Sequence, residues 1–420
     1  MTTAQPVRWI ENPRAGSIQT SPAVERFFPA GIARAARDFH RQIPGYQMTP
    51  LKSLARLADF LNISGIWVKD EARRLDLGSF KVLGGSFAIY RFIQGKLGLE
   101  RPMTYAELTS GEVRERLGNL TFAAATDGNH GRGVAWSARQ LGFQSVIYVH
   151  KHTSSARISA IERNGARVVV VDGTYDDAVR QVNADAQANG WQVISDTSWP
   201  GYEEIPTAVM QGYATMMVEA QEQFAGVGIT RPTHVFVQAG VGSLAAACIG
   251  FYSHLFGGQR PISVVVEPDR AGCLYRSIEI GDGQPHSFPG ELDTIMAGLA
   301  CGDPNPLAWQ VLHDCADAFL ICPDYVAAKG MRVYGMPLAG DPTIISGESG
   351  AVTLGALMSI LELPEYEHLR ERLRLDRDSQ VLLINSERNT DPDEFRRVVW
   401  EGGNPVPEPY RRYRNPFDEN

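Results

Sequence analysis

Short apolar runs alternate with amphipathic segments through the middle of the chain. Three of these runs have the length of buried strands: residues 120–125, 145–149 and 167–171. Each is followed by a stretch in which apolar residues recur with the period of a helix. Strands that alternate with helices in this way form parallel sheets covered by helices. The pattern therefore predicts such a sheet between residues 120 and 195.

The same alternation continues on both sides of this segment. Further apolar runs of strand length lie at residues 66–69, 233–237, 262–266 and 381–385. A chain of 420 residues is long enough for about two domains of ordinary size. We therefore predict an α/β protein of two domains, each a mainly parallel sheet flanked by helices. The larger domain comprises residues 1–84 and 201–420, and the smaller domain comprises residues 85–200.

Three segments have a weaker pattern. Residues 1–48 mix aromatic residues with proline and glycine, which predicts an irregular arm. Thr49 and Pro50 suit the start of a helix, because threonine is a good N-cap and proline is tolerated at the first helical position. Residues 269–305 are rich in glycine, proline and aspartate, which predicts a long loop at the entrance of a site.

Composition narrows the classes of function. The net charge of −8 at pH 7 disfavours a nucleic-acid partner, because phosphates require a basic surface. No run of about 18 apolar residues is present, so no membrane span is expected. The N-terminal region lacks the apolar core of a signal peptide, so we expect a cytoplasmic protein.

Five cysteines without C-x-x-C spacing favour reduced thiols over a disulfide framework or a zinc site, and no metal site is predicted. Cys273 and Cys301 both lie in the predicted entrance loop. For this pair, a disulfide and two free thiols remain open alternatives.

One lysine has an unusual setting. Only six of the 40 basic residues are lysines, and Lys81 lies within Gly-Ser-Phe-Lys-Val-Leu-Gly-Gly at residues 78–85, ahead of an apolar helical run. A lysine amine can lose its proton and attack a carbonyl group, which a guanidinium cannot do. Lys81 is therefore a candidate nucleophile. The alternative is a solvated lysine at the end of a loop.

A glycine-rich turn between a strand and a helix suits a phosphate. Its sequence is Gly240-Val241-Gly242-Ser243, followed by Leu244. Such a turn directs successive N–H groups at one anion, and the helix N-terminus adds positive potential. The turn lacks the ending of a P-loop and the acidic residue of a dinucleotide fingerprint, so one phosphate fits better than a pyrophosphate. A tight structural turn is the alternative.

A second turn, from Thr126 to Gly131, also joins a strand to a helix. Its N–H groups suit a carboxylate, and the amide of Asn129 can donate a hydrogen bond to a phenolic oxygen. Asp127 is unexpected in such a turn, because its carboxylate repels an anion unless it faces another part of the ligand.

Two further segments contain candidate ligand-binding residues. Asp196 follows a predicted strand, at the edge where parallel sheets bind ligands, although an N-cap or Asx turn is the alternative. Residues 385–391 form a polar turn after a buried strand, and the hydroxyl of Ser386 or Thr390 can meet a heterocyclic nitrogen. An amine, a phosphate cradle, an amide for a phenolate and a hydroxyl for a ring nitrogen together describe pyridoxal 5′-phosphate held as a Schiff base.

The motifs, in this order, resemble the fold type II (tryptophan synthase β-like) enzymes that use pyridoxal 5′-phosphate. The resemblance spans roughly residues 45–390 and is carried by Ser79-Phe80-Lys81, Gly128-Asn129-His130-Gly131, residues 240–243 and Glu348-Ser349-Gly350-Ala351. Within that group the chain is most similar to the diaminopropionate ammonia-lyases, through residues 78–85, 126–131, 195–199, 296–302 and 385–387. The hydroxyamino-acid dehydratases of the group usually have a small residue where Asp127 stands.

The resemblance implies α,β-elimination of D- and L-2,3-diaminopropionate to pyruvate and two ammonia. Lys81 would hold the cofactor and remove the α proton of the L isomer, and Asp127 would be the base for the D isomer. Asp127 and Asp196 would hold the β-amine as ammonium. The expected cofactor contacts are Phe80, Lys81, Asn129, Gly240, Val241, Gly242, Ser243, Leu244 and Ser386 or Thr390. The expected substrate contacts are Thr126, Asp127, Gly128, His130 and Asp196.

The expected partner is a small amino-acid substrate, and the resemblance implies a homodimer. Two alternative functions stay open. One is a threonine or serine dehydratase, or another β-eliminating or β-replacing enzyme that uses the same cofactor. The other is a non-catalytic sensor with this fold, which the presence of Lys81, Asp127 and Asp196 disfavours.

Overall fold

The protein is described by a computed structural model that covers residues 5–15 and 21–412. The strands are β1 (Arg8–Glu11), β2 (Leu51–Ser53), β3 (Gly65–Asp70), β4 (Thr121–Thr126), β5 (Gln144–His150), β6 (Arg167–Val171), β7 (Gln192–Val193), β8 (His234–Gln238), β9 (Ile262–Pro268), β10 (Ala318–Cys322) and β11 (Gln380–Asn385). They form a seven-stranded sheet of order β1-β10-β9-β8-β11-β3-β2 and a four-stranded sheet of order β6-β5-β4-β7.

Parallel pairing dominates both sheets. All neighbours in the smaller sheet are parallel, and so are the five inner strands of the larger sheet. The edge strands β1 and β2 pair antiparallel with β10 and β3. The predicted α/β class and the predicted parallel sheet between residues 120 and 195 are therefore confirmed.

Helices cover both sheets. They are α1 (Pro22–Phe27), α2 (Ile32–His40), α3 (Ala55–Phe60), α4 (Lys81–Lys96), α5 (Tyr105–Leu108), α6 (Gly111–Leu117), α7 (Asn129–Leu141), α8 (Ser155–Glu162), α9 (Tyr175–Asn189), α10 (Glu204–Tyr213), α11 (Thr215–Gly226), α12 (Ser243–Phe256), α13 (Cys273–Ile280), α14 (Pro306–Cys315), α15 (Asp324–Gly335), α16 (Glu348–Glu362), α17 (Glu367–Leu373) and α18 (Pro392–Val399). No helix in the described ranges is long and apolar enough to cross a membrane.

Local sequence explains several of these helices. Thr174 and Asp177 form a reciprocal capping box at the start of α9, and Gly190 ends that helix in a left-handed conformation. Helices α12 and α16 are apolar on nearly all sides, and most of their residues are buried. An apolar surface all round is typical of a helix inside the protein rather than on its surface.

The core lies on both faces of the larger sheet. Side chains alternate along β8, where Val235 and Val237 join one apolar cluster and Phe236 joins the other. The first cluster continues through α4 and α7 to Phe122 of β4, so it packs the two sheets together. The predicted domain boundary at residues 84 and 85 falls within α4, and the division into domains stays a prediction.

Three local predictions were wrong. No helix begins at Thr49 and Pro50, because residues 51–53 pair with β3 as an edge strand and α3 begins at Ala55. The described part of residues 1–48 is not irregular, since it contains β1, α1 and α2. The predicted entrance loop contains α13, which lies between Gly272 and Gly281. In each case, pairing or packing with a distant element outweighed the local composition.

Candidate active site

A cavity lies between the two sheets, at the carboxyl ends of their strands. It has about 770 Å³ of empty space, part of it open to solvent. Residues at or after the ends of five strands line it: Phe80 and Lys81 after β3, Thr126 at the end of β4 with Asp127 and Asn129 after it, Asp196 after β7, Gly240 to Leu244 after β8, and Ser386 and Glu387 after β11. Ligands of open α/β sheets bind in the crevice outside the carboxyl ends of the strands.

Lys81 is the first residue of α4, and the segment before it is firmly anchored. The N–H of Phe80 donates to the Ser386 carbonyl at 3.1 Å, and the N–H of Arg388 donates to the Gly78 carbonyl at 2.9 Å. Lys81 Nζ donates to Asp196 Oδ2 at 2.6 Å, with 17% and 6% of the two side chains exposed. The amine therefore lies inside the cavity, between the two sheets.

The Lys81–Asp196 contact is an ion pair at neutral pH. Burial by itself would lower the pKa of the lysine, but the Asp196 carboxylate, with smaller contributions from Tyr213 and Asp127, raises it above its ordinary value. Burial by itself would raise the pKa of Asp196, but Lys81 and then His130 lower it to about 2. Each group therefore holds the other in its charged form.

Asp196 is fixed at both its side chain and its backbone. The Tyr175 hydroxyl donates to its Oδ1 at 3.3 Å. The Ser243 hydroxyl and the Asn305 amide donate to its carbonyl oxygen at 2.6 and 3.1 Å. The carboxylate is consequently held on one side of the cavity, with little freedom to turn away.

Asp127 is the second carboxylate of the cavity. Its Oδ2 is buried and has no hydrogen-bond partner among the described residues. The nearest cation recorded for it is the Arg157 guanidinium, with Nη1 at 3.9 Å from Oδ2, and the same nitrogen donates to the Asp127 carbonyl at 3.4 Å. A buried carboxylate oxygen without a hydrogen bond is costly unless a ligand satisfies it, so Asp127 is a candidate for binding a cationic group of a ligand.

The turn after β4 differs in part from expectation. Thr126 Oγ1 accepts hydrogen bonds from the N–H groups of Gly128 and Gly131, at 2.8 and 3.0 Å, so these two donors are not free for a substrate carboxylate. Gly128 does not line the cavity, because the Arg157 side chain lies against it. His130 lines the cavity and donates from Nε2 to the Ile194 carbonyl, and burial lowers its pKa.

The glycine-rich turn has the geometry of an anion cradle. Gly242 has a φ of +100°, which L side chains rarely adopt, and α12 begins directly after it without a capping side chain. A Cβ on Gly240 would lie 3.0 Å from Cys301 Sγ. The first N–H groups of α12 therefore have no side-chain cap, and residues 240–244 line the cavity, which is the arrangement that suits an anion. The hydroxyl of Ser243 is occupied by Asp196, so its backbone is the part available to a phosphate.

Of the two hydroxyls predicted to meet a ring nitrogen, Ser386 lines the cavity and Thr390 does not. Ser386 Oγ accepts from Gln238 Nε2 at 2.8 Å, which leaves its own hydrogen available to an acceptor in the cavity. The Thr390 hydroxyl instead donates to Glu387 Oε2 at 3.1 Å.

Several lining residues were missed by the sequence reasoning. They include Gln238, Tyr175, Ser349 and Glu387. Each comes from a different part of the chain, and no local spacing connects them with Lys81. Ser349 and Glu387 lie within stretches that carry the family resemblance, and those stretches were the available signal. Cys273 and Cys301 are free thiols in the structure, so the disulfide alternative is not observed.

The residues of the cavity fit pyridoxal 5′-phosphate. An amine, an uncapped helix N-terminus, and a serine hydroxyl open onto one space. Buried polar atoms on five lining residues lack hydrogen-bond partners within the described residues: Asp127 Oδ2, His130 Nδ1, Gln238 Oε1, Ser349 Oγ and Glu387 Oε1. Such atoms are expected where a polar ligand completes the site.

Comparisons with known proteins agree with this geometry. A family model described as pyridoxal-phosphate dependent enzyme matches residues 43–387. The diaminopropionate ammonia-lyase of Escherichia coli (strain K12) is 47% identical over 388 residues, which are 92% of this chain and 95% of that protein. A crystal structure of the E. coli enzyme in complex with an aminoacrylate-PLP azomethine reaction intermediate superposes with a TM-score of 0.86, at 45% identity, over 96% of this chain and 98% of that one. A biosynthetic L-threonine dehydratase of Haemophilus influenzae is 26% identical over 74% of this chain and 52% of that protein.

Proposed function

The chain belongs to the diaminopropionate ammonia-lyases within the pyridoxal-phosphate-dependent enzymes, and we propose that it converts 2,3-diaminopropionate to pyruvate and two molecules of ammonia. The observation that carries the proposal is the presence of Lys81, Asp127 and Asp196 in one cavity. A diamine presents an ammonium group that two carboxylates can bind, whereas the neutral hydroxyl of serine or threonine gives them no charge to pair with.

The cofactor would be held by residues of both sheets. The N–H groups at residues 240–244 bind its phosphate, Asn129 donates to its phenolic oxygen and Ser386 donates to its ring nitrogen. Lys81 would hold its aldehyde carbon as a Schiff base, formed with loss of water. When bound, pyridoxal phosphate supplies an electron sink for the electron pair left at the substrate's α carbon. A serine hydroxyl at the ring nitrogen, unlike a carboxylate, leaves that nitrogen unprotonated.

Lys81 and the two aspartates divide the proton transfers. Once the substrate's α-amine has displaced it, Lys81 removes the α proton of the L isomer, and Asp127 removes that of the D isomer from the opposite face. Asp196, then no longer paired with Lys81, binds the β-amine as ammonium. An amine leaves as ammonia only when it carries this additional proton, so the carboxylates maintain the protonated state until the bond to the β carbon breaks.

The ratio of products tests this function. With purified enzyme, we expect two ammonia molecules for each pyruvate from D- or L-diaminopropionate, and much lower kcat/KM with serine and threonine. A threonine or serine dehydratase would instead release one ammonia for each oxoacid and prefer the hydroxyamino acids. Higher kcat/KM for serine or threonine than for either isomer of the diamine would contradict the proposal.

We also propose a cytoplasmic homodimer. Met336, Leu338 and Ile345 are exposed apolar residues of one segment, and Met336 is 81% exposed. Clustered apolar exposure is typical of a surface that a partner subunit covers. Light scattering during gel filtration is expected to give twice the mass of the 46.1 kDa chain. The mass of one chain would contradict the proposal.

A further inference from the structure

Glu387 is a buried carboxylate on the wall of the cavity, directly after the strand β11 and Ser386. Only 2% of the residue is exposed. Its Oε2 accepts hydrogen bonds from Asn129 Nδ2 at 2.5 Å and from the Thr390 hydroxyl at 3.1 Å. Its Oε1 is buried and lacks a hydrogen-bond partner in the described part of the chain. A carboxylate in such a place needs a specific reason, because burying one is costly.

The backbone of Glu387 is fixed relative to the lysine. Residues 386 and 388 on either side of it bond to the segment Gly78–Phe80, which leads into Lys81. The N–H of Gly347 donates to the Glu387 carbonyl at 3.1 Å, and a Cβ on Gly347 would lie 2.9 Å from Oε1. The carboxylate is therefore held in place from two directions, and it has little room to move.

The hydrogen-bond partner of Glu387, Asn129, belongs to the other sheet. Asn129 is the first residue of α7, which follows β4 of the smaller sheet, whereas Glu387 follows β11 of the larger sheet. The two residues are 258 positions apart in the chain. Their hydrogen bond thus joins the residues that follow the smaller sheet to those that follow the larger sheet, at the cavity that Asn129 lines.

An ionised carboxylate can only accept hydrogen bonds, so it dictates which end of an amide faces it. Asn129 must turn its Nδ2 toward Glu387, and one of the two hydrogens on that nitrogen remains for another acceptor. If the Asn129 amide were reversed, its oxygen would take the position of Nδ2 in the cavity and would repel an anionic oxygen of a ligand. Fixing the amide therefore fixes a donor in the cavity.

We propose that Glu387 is a positioning residue, which orients the Asn129 amide so that its second N–H hydrogen donates to the phenolic oxygen of pyridoxal phosphate. This inference rests on the proposed function, since it uses Asn129 as the donor to that oxygen. Thr390 contributes by donating to the same Oε2, which gives a role to a hydroxyl that does not line the cavity. Glu387 acts on the cofactor through Asn129 and not by direct contact.

The test is a double-mutant cycle on cofactor binding. Apoprotein of the wild type, Glu387→Gln, Asn129→Ala and the double variant is titrated with pyridoxal phosphate, and the Kd and the absorbance spectrum of the bound cofactor are measured. Each single change is expected to weaken binding about tenfold, the effect of losing one hydrogen bond to a charged group. Each is also expected to shift absorbance from the visible to the near-ultraviolet in the same direction. The double variant is expected to bind within about twofold of Asn129→Ala, because the two residues act as a unit.

The control is Glu362→Gln, which removes a mostly buried carboxylate that pairs with Lys329 and does not line the cavity. It is expected to lower the thermal midpoint without changing the Kd or the spectrum. If Glu387→Gln does not fold, Glu387→Asp replaces it in the cycle, because it keeps the charge and withdraws the oxygens by one methylene group. Glu387→Asp is expected to change the Kd and the spectrum in the same directions as Glu387→Gln, by smaller amounts.

Two results would overturn the inference alone: a wild-type Kd and spectrum for Glu387→Gln or its substitute, or a double variant whose loss equals the product of the two single losses. Wild-type binding by Asn129→Ala is a different result. It would remove the assignment of Asn129 in the proposed function, and this inference with it.

Discussion

The cavity has two walls, one from each sheet, and they suit ligand groups of opposite charge. The wall after β8 presents backbone N–H groups from the glycine-rich turn at residues 240–243, at the start of α12. The wall after β4 and β7 presents the carboxylates of Asp127 and Asp196. Both walls are carboxyl ends of parallel strands, yet one suits an anion and the other a cation. The fold determines where a ligand can bind, whereas the side-chain and backbone groups that line the cavity determine whether an anion or a cation binds there.

This difference predicts different sensitivities to substitution. The backbone wall depends on shape, because Gly242 has a positive φ and a Cβ on Gly240 would press against Cys301. The carboxylate wall depends on charge, because Asp196 is buried and paired with Lys81. A change that conserves size but removes charge should therefore damage the second wall, and a single methyl group should damage the first.

The largest effect is expected from Lys81, which lies between the two walls. Lys81→Ala should lower kcat/KM by about 10³-fold or more and abolish the visible absorbance of the bound cofactor, because Lys81 is the lysine among the described residues that line the cavity. Lys151→Ala, which removes an exposed ion pair with Asp172, should change neither. Retained absorbance in Lys81→Ala would show that a different lysine holds the cofactor.

On the carboxylate wall, Asp196→Asn conserves shape and removes charge. Turnover of both isomers should fall by about 10²-fold or more, because the change removes the charged partner of Lys81 and a proposed binding group for the β-ammonium. The Kd for pyridoxal phosphate should change far less, since the proposed phosphate site lies on the other wall. Loss of cofactor affinity in proportion to the loss of turnover would contradict the separation of the two walls.

The same residue predicts a pH dependence of stability in the cofactor-free protein. Its folded pKa of about 2 lies below its ordinary value, so its stabilising contribution is present above about pH 4 and is lost as the pH falls through about 2. Urea unfolding between pH 5 and 2.5 (roughly the window in which the linkage acts) should show a shallower decline for Asp196→Asn than for the wild type. Parallel declines would show that the ion pair does not stabilise the fold.

Asp127→Asn distinguishes the two carboxylates from each other. We expect turnover of the D isomer to fall by about 10²-fold and that of the L isomer by less than about tenfold, because the variant retains Lys81, the proposed base for the L isomer. Steady-state kinetics on the separate isomers measures both values. Equal losses would show that Asp127 binds the substrate but is not the base.

The smallest effect is expected on the backbone wall. Gly242→Ala should weaken pyridoxal phosphate binding by about tenfold, because the turn strains and the new methyl group meets Leu312 Cδ1 at 3.1 Å. Gly228→Ala is the matched control, since Gly228 also has a positive φ but nothing lies within 4 Å of its added Cβ. Both changes should lower stability by about 1 kcal/mol, and only Gly242→Ala should change the cofactor Kd. An unchanged Kd in Gly242→Ala would argue against the phosphate cradle.

Features that depend on residues close together in the sequence could be predicted from it. The strands β4, β5 and β6 and the glycine-rich turn were found because burial, period and turn chemistry are local. The edge strand β2 was mistaken for the start of a helix, because its pairing with β3 is not visible in its own residues. Glu387 was not assigned a role for the same reason, since its partner Asn129 lies 258 residues away.

The account depends most on pyridoxal phosphate being attached to one lysine between the two walls. Borohydride reduction of the purified protein, followed by proteolytic digestion and mass spectrometry, locates that attachment directly. We expect one phosphopyridoxyl group per chain, on Lys81. Label on any of the other five lysines, or no label at all, would contradict the account.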